Sequence, residues 1–327
     1  MKQKMRVLSL LAASAAALAV LASPMAVAQA FPSKPVKMVV PYPAGGITDI
    51  LGRLIGKVMS EDLKQPILID NRPGANGSIG SDATAKSPAD GYTILLGAST
   101  THVLHPLLTK APPYDGLKDF TPLGLIAATP LFLVVNTDVP VRSVPELIAW
   151  LKANGAKASF GSYGAASASH LAGELFKSMA GVQMTHVPYK GGVPAITDLI
   201  SGQIQVVFAD VTSIPHIRSG KIRALAMTGQ ARSAALPDLP TVAEAGLPGY
   251  QVFGWFAFFG PAKMPEAVTA RLSASIAAAL DSPGMRDQIA GLGLQPQRAT
   301  GPEVSRLIQA DIVKWSKVIA DAGIKVD

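Results

Sequence analysis

A chain of 327 residues without a single cysteine has no thiol nucleophile, no disulfide framework and no thiolate metal site. Its 29 lysines and arginines against 22 aspartates and glutamates leave a formal charge of +7. The basic residues are scattered, with no run interleaved with aromatics, which argues against a nucleic-acid surface and suits a small anionic ligand. The length exceeds that of one ordinary domain, so two domains are expected.

Residues 1–30 read as a cleavable export signal. Lys2, Lys4 and Arg6 form a basic start, an apolar run follows over 8–21, and Ala28-Gln29-Ala30 supplies the small residues of a cleavage site. The run falls short of the ~20 residues that a membrane span needs. The mature chain is therefore expected in the periplasm from about Phe31. Loss of the leader removes three basic residues and lowers the charge from +7 to +4.

Strands and helices then alternate. VKMVV (36–40) reads as a buried strand, and 47–63 carries Ile50, Leu54, Ile55, Val58 and Met59 at helical spacing. PILID (66–70) is strand-like, NRPGANGSIG is a turn, 80–86 a short helix and 92–96 a third strand. This β-α-β-α-β order predicts a parallel sheet covered by helices. TPLGLIAATPLFLVVN has no helical period and reads as an extended crossing out of the first domain. The alternation resumes with a helix from 144, a strand in ASFGSYG, a helix over 169–180, a strand in MTHVPY, a helix over 193–200, strands over 204–209 and 222–228, and a short helix between those two. ALPDLPTVAEAGLPGY is an irregular return path and GWFAFFGP a second extended crossing. Three helices, each opening at a proline, fill 265–280, 283–292 and 302–322. The expected division is residues 31–127 with 254–327 as domain 1 and 128–253 as domain 2.

Two α/β lobes joined by two crossings put a cleft at the carboxyl ends of the parallel strands. Two strand-to-helix corners face it: PYPAGG in the first lobe and GSYGAASASH, 161–170, in the second. Opposed helix starts present N–H and hydroxyl donors to a carboxylate, and closing over it would be a hinge motion.

The ordered motifs PYPAGG with Asp49, DNRPGANGSIG, PADGYTILLG, HVPYKGGVPAITDLISGQIQVVFAD and LPTVAEAGLPGY resemble the Bug-type receptors of tripartite tricarboxylate transporters over essentially the whole mature chain. The resemblance implies a two-lobed periplasmic-binding-protein fold, type II-like, that closes over a small carboxylate and delivers it to membrane permease subunits. It implies a ligand held by main-chain amides, hydroxyls and bridging waters. The implied contacts are Tyr42, Ala44, Gly45, Gly46 and Asp49 at the first corner and Ser99 and Thr100 at the third strand's end. From the second lobe come Ser162, Gly164, Ser167, Ser169, His170 and Asp210. One departure is Ala166, Ser167 and Ala168, where the family often carries asparagine or glycine.

Structural readings stand beside these. Asp49 suits a helix-start cap as well as a ligand contact, Gly45 and Gly46 suit the turn alone, and His170 can be satisfied by backbone. His186 reads as a core histidine, and the aromatic residues of 253–259 read as hinge and core packing, with Trp255 or Phe256 as an alternative ligand wall. NRPGANGSIG misses the dinucleotide spacing and lacks a Walker lysine, and no metal-ligand motif is present. Asn76-Gly77-Ser78 matches a glycosylation sequon. An exported α/β hydrolase is the alternative function, yet GSYG fails the nucleophile-elbow spacing. A partner of a sensor kinase is a further alternative. The expectation is a monomeric, non-catalytic receptor without cofactor or metal, binding a di- or tricarboxylate, an acidic amino acid or an aromatic acid, with no role in nucleic-acid binding.

Overall fold

The short apolar runs of the sequence assemble into two sheets. In this computed structural model residues 31–324 are described, apart from positions 156, 166 and 234. The expected signal peptide and Ala166 lie outside the described residues. From Lys34 onward the contacts gather the chain into one unit.

The first sheet has six strands in the order β11-β4-β10-β3-β1-β2. Strands β1 (Val36–Val40), β2 (Ile67–Asn71) and β3 (Thr93–Ala98) are parallel, and β10 (Phe253–Pro261) runs antiparallel between β3 and β4 (Phe120–Pro130). The second sheet has five strands, β7-β6-β8-β5-β9. Here β7 (Thr185–Pro188), β6 (Ser159–Ser162) and β8 (Val206–Ala209) are parallel, and β5 (Phe132–Val135) runs antiparallel between β8 and β9 (Arg223–Met227). Both sheets thus follow one plan. The strand that enters after a crossing, β10 or β5, lies against the strand that leaves. Strands β5 and β8 are buried at every residue, which is why FLVV and VVFA read as unbroken apolar runs.

Helices cover both sheets where the sequence predicts them: Ile47–Leu63, Ser78–Ala85, Val144–Asn154, Ala168–Ala180, Gly192–Ile200, Glu266–Asp281, Met285–Gly291 and Gly301–Asp321. Two elements escape the sequence reading. Residues Thr100–Leu104 wind as a π-turn after β3. Strand β11 (Gln295–Thr300) is an edge strand paired with β4 through a register shift, and its sequence QPQRAT is polar and carries a proline, which an edge position tolerates. The last helix, opened by a capping box between Thr300 and Glu303, locks to the first sheet through the buried Trp255 Nε1–H, which donates to Asp311 at 2.9 Å.

The crossings meet at one residue. The chain leaves the first sheet at Pro130, spends Leu131 in transit and enters the second at Phe132; it returns over 228–252. Thr228, 0 % exposed, joins both paths. Its N–H donates to Leu131 O at 2.8 Å, the Leu131 N–H donates to its Oγ1 at 2.9 Å, and its hydroxyl donates to Val252 O. The Val252 N–H closes the set by donating to Thr228 O at 2.8 Å.

Thr228→Val keeps the shape and removes the hydroxyl, leaving the buried Leu131 N–H and Val252 C=O without that partner. It should lower the unfolding free energy by about 2 kcal/mol or more, with Thr228→Ser much closer to the parent. Urea denaturation measures both, and a Thr228→Val midpoint equal to the parent's would refute this account of the crossing.

Candidate functional site

At the first corner β1 ends at Val40 and the helix Ile47–Leu63 begins behind Gly46, whose extended backbone (φ −73°, ψ 165°) makes no side-chain cap. The amides of the first helical turn, which have no intrahelical acceptor, are therefore not taken up by a capping side chain. Gly45 sits at φ +81°, the one position in this corner that requires glycine for its backbone. Ala44, Gly45 and Gly46 are exposed.

Asp49 is the corner's brace. It is 2 % exposed, and its carboxylate accepts from Gly45 N–H at 2.9 Å, Arg53 Nε at 2.9 Å and Asn71 Nδ2 at 3.0 Å. The Asn71 amide also donates to Tyr42 O at 3.2 Å. The Arg53 hydrogen bond leads the causes that pull the Asp49 carboxyl down to about 2. These bonds fit the structural reading of Asp49.

The end of β3 is a second polar junction. Ser99 is buried, and its Oγ accepts from Trp255 N–H at 3.4 Å. Thr100 is half-buried, and its side chain is hydrogen bonded to the Tyr42 hydroxyl, whose pKa burial pushes up to about 12, so the phenol stays neutral. Beneath them His102 is fully buried, stacked on Phe259 at 3.7 Å, and burial lowers its pKa to about 3. Gly97 makes that stack possible, since a Cβ there would lie 2.4 Å from the imidazole.

The second corner is more enclosed than the sequence suggests. Ser162 is 0 % exposed; its Oγ lies 2.7 Å from His186 Nε2 and donates to Gly164 O at 2.9 Å. Ser169 is also buried and donates to Phe208 O at 2.7 Å. Ser167 caps its helix, accepting from His170 N–H at 3.2 Å and donating to Gly164 O at 2.7 Å. Asp210 caps the turn Val211–Ser213 by accepting from Thr212 N–H, while its own N–H donates to the Tyr163 hydroxyl at 2.9 Å. His170 and His186 stack with ring centres 3.6 Å apart and planes 7° apart, with Glu174 3.8 Å from His170. Burial is the leading cause that holds both imidazoles down at about 4.

Six of the expected contacts therefore brace the backbone here: Asp49, Ser99, Ser162 and Ser169 spend their polar atoms on protein partners inside the corners, and Ser167 and Asp210 do so as caps. The Ser162–His186 pair has the spacing of a base-assisted nucleophile. Its hydroxyl, however, has no exposed surface.

Between the lobes lies a cavity of about 510 Å³. Its first wall is Asn76, Thr100, Leu104, His105, Leu108 and Thr109; Tyr163, Gly164, Ala165, Ser167 and Ala168 form the wall opposite. Of the residues singled out in the sequence, it brings together Thr100, Gly164 and Ser167. Tyr42 reaches it only through Thr100, and Ala44, Gly45, Gly46, His170 and Asp210 lie outside the lining. Leu104, His105, Leu108 and Thr109 went unremarked in the sequence because the π-turn that aims them has no periodic signature. No lysine or arginine lines the cavity, so an anion there would meet hydroxyls and amides. Among the described residues no cluster of His, Asp and Glu could hold a metal. A cavity of about 560 Å³ beside Ile217, Ile222 and Leu239 shares no lining residue with the inter-lobe cavity, and the Arg223 guanidinium on its wall donates to Val139 O and Val141 O.

A family profile described as "Tripartite tricarboxylate transporter family receptor" matches residues 51–324. Protein BugT of Bordetella pertussis is 38% identical over 304 residues, covering 91% of this chain and 92% of BugT. A solved R. palustris protein with adipate is 38% identical with a TM-score of 0.72, over 90% of this chain and 99% of that one. MatC from Rhodopseudomonas palustris, solved with bound malate, is 33% identical with a TM-score of 0.68, over 88% of this chain and all of that one, 100%.

The stacked histidines fix a pH response. Their folded-state pKa of about 4 lies below the ordinary 6.5, so the unfolded chain binds protons first as pH falls. Stability should decline from pH 6.5 towards 4, and Asp49, depressed to about 2, should add a further loss from about pH 4 downwards. His186→Gln, which cannot protonate but can still bond Ser162, should flatten the upper part of this curve. Chemical denaturation at stepped pH checks this, and an unchanged slope in the variant would contradict the assignment.

Proposed function

The chain belongs to the tripartite tricarboxylate transporter receptor family, and on that premise we propose that it captures a small carboxylate between its lobes, closes over it by a hinge motion and passes it to membrane permease subunits. The observation that carries this reading is the inter-lobe cavity, walled on both sides by neutral donors and lined by no fixed charge. Relatives solved with adipate and with malate support the ligand class.

The moving bodies in this proposal are residues 31–127 with 254–327 and residues 128–253, which turn about Leu131, Thr228 and Val252. The Thr100 and Ser167 hydroxyls, turned from their Tyr42 and Gly164 O partners, hold the carboxylate in the cavity, and closure brings the uncapped amides behind Gly46 towards it. Charge-assisted hydrogen bonds of this kind are roughly twice as strong as neutral ones and need no partner cation. Asp49 sets the position of those amides without touching the ligand. Export by the leader over 1–30, a periplasmic location and a monomeric state complete the proposal. No helix among the described residues is long and apolar enough to cross a membrane.

The mature chain, 31–327, should show a raised thermal midpoint with one class among mono-, di-, tri- and aromatic carboxylates and amino acids. A micromolar binder at millimolar concentration stabilises the folded state by about 4 kcal/mol. Thr100→Val should weaken that ligand about tenfold or more while moving the ligand-free midpoint by only a few degrees. No shift with any carboxylate, in protein stripped of co-purified ligand, would overturn the proposal.

A further inference from the structure

One face of residues 100–109 runs along the cavity and changes character from end to end. Thr100 stands beside Tyr42 at the end of β3, Leu104 and Leu108 follow one another at helical spacing, and His105 and Thr109 form a parallel row. At 1.5 Å per residue the stretch from Thr100 to Thr109 is on the order of 13 Å long. That length accommodates a carboxylate, a short aliphatic spacer against the leucines and a second polar group. His105 Nδ1 lies 3.4 Å from Thr109 Oγ1, a distance that aligns the ring. Its Nε2 has no protein partner among the described residues. The imidazole is half-buried in the cavity wall, where a ligand group is the available partner.

We propose that His105 is a specificity-determining residue: its imidazole, aligned by Thr109, receives the second anionic group of an elongated ligand and takes up a proton as that group arrives. This rests on the carboxylate reading above, with the first carboxylate near Thr100 and Ser167.

The electrostatics follow from the surroundings. Burial holds the His105 pKa below the ordinary imidazole value, so the ring is neutral in the free protein at neutral pH. A carboxylate brought within about 4–6 Å favours the charged form. The groups that face the ring from neighbouring elements do not replace that effect. Tyr114 lies 6.5 Å away, and Tyr163 stands on the opposite wall; burial raises the pKa of both phenols, which stay neutral. The C-terminal helix, packed against 100–107, carries Asp311 and Lys314, which pair with each other at 2.7 Å. Between pH 5.5 and 8, His105 is then the group among the cavity's lining residues whose charge can change. A ligand with two carboxylates should bind more tightly as pH falls, and one with a single carboxylate should not.

Isothermal titration of the mature chain with succinate, glutarate and adipate, each against the monocarboxylate of equal length, tests this from pH 8 to 5.5. The expected result is a gain of about tenfold in affinity for the best dicarboxylate, corresponding to one unit of pKa rise on binding. The monocarboxylates should stay level, and the gain should vanish in His105→Gln. A His105→Gln protein that keeps the full pH dependence, or a monocarboxylate that gains as much as its partner, would overturn the role of His105 while leaving a carboxylate receptor standing. Failure of every carboxylate to bind at any pH would overturn both. Should His105→Gln not fold, the proton NMR titration of His105 in the parent decides: its pKa must rise on addition of the dicarboxylate, and an unmoved pKa refutes the proposal.

Discussion

The molecule depends on the tie made by Thr228. Two sheets of the same plan can grip a ligand only if the strands that connect them cross at a defined place, and one buried threonine bonds the outgoing path at Leu131 and the returning path at Val252. A knot this short confines rotation to a few backbone bonds. In the proposed closure, the sheets on either side convert a small change in those bonds into a large movement at the cleft. Behind it the C-terminal helix holds Trp255 of the first sheet through Asp311, while its Trp315, Val318 and Ile319 share an apolar cluster with Phe160, Leu171 and Phe176 of the second lobe.

A cavity lined by hydroxyls, amides and leucines suits reversible capture. A buried arginine would hold a carboxylate strongly but would stand uncompensated in the empty protein, at the desolvation cost of an unpaired ion. Neutral donors cost less to leave empty. The mild positive charge of the chain is scattered along the sequence, and none of its lysines or arginines lines the cavity. If His105 takes a proton only when a second anion is present, the site gains a cation on demand and returns to neutrality on release.

The corners show how polar residues divide between binding and bracing. A helix start that is to present free amides must be fixed by something other than a cap at that start. Asp49 does this from within the first turn, reaching back to Gly45 and across to Asn71 of β2. Ser162 with His186, and Ser169 with Phe208 O, brace the second corner in the same way. The second helix is capped by its own Ser167, so the two corners are not equivalent: the first leaves its helix-start amides without a capping side chain, while the second engages one of them with Ser167.

The architecture was legible because its signals are local. Alternating apolar runs and helical periods located seven of the eleven strands named above as strands, since a buried strand must be apolar wherever it occurs; β4, β5 and β10 lie in the runs read as extended crossings, which belong to the sheets themselves. The polar edge strand β11 escaped because its pairing partner, β4, lies more than 160 residues away in sequence. At the site, the sequence by itself determined which turns lie at the strand ends and which residue types stand there. Only the tertiary structure decided which of those side chains face inwards, because bracing and binding use the same serines and aspartates and differ only in burial. Thr228, Leu104, His105 and Thr109 gained their meaning in the same way: a hinge tie and a cavity wall are made by residues brought together from separate turns, and no spacing along the chain records that meeting.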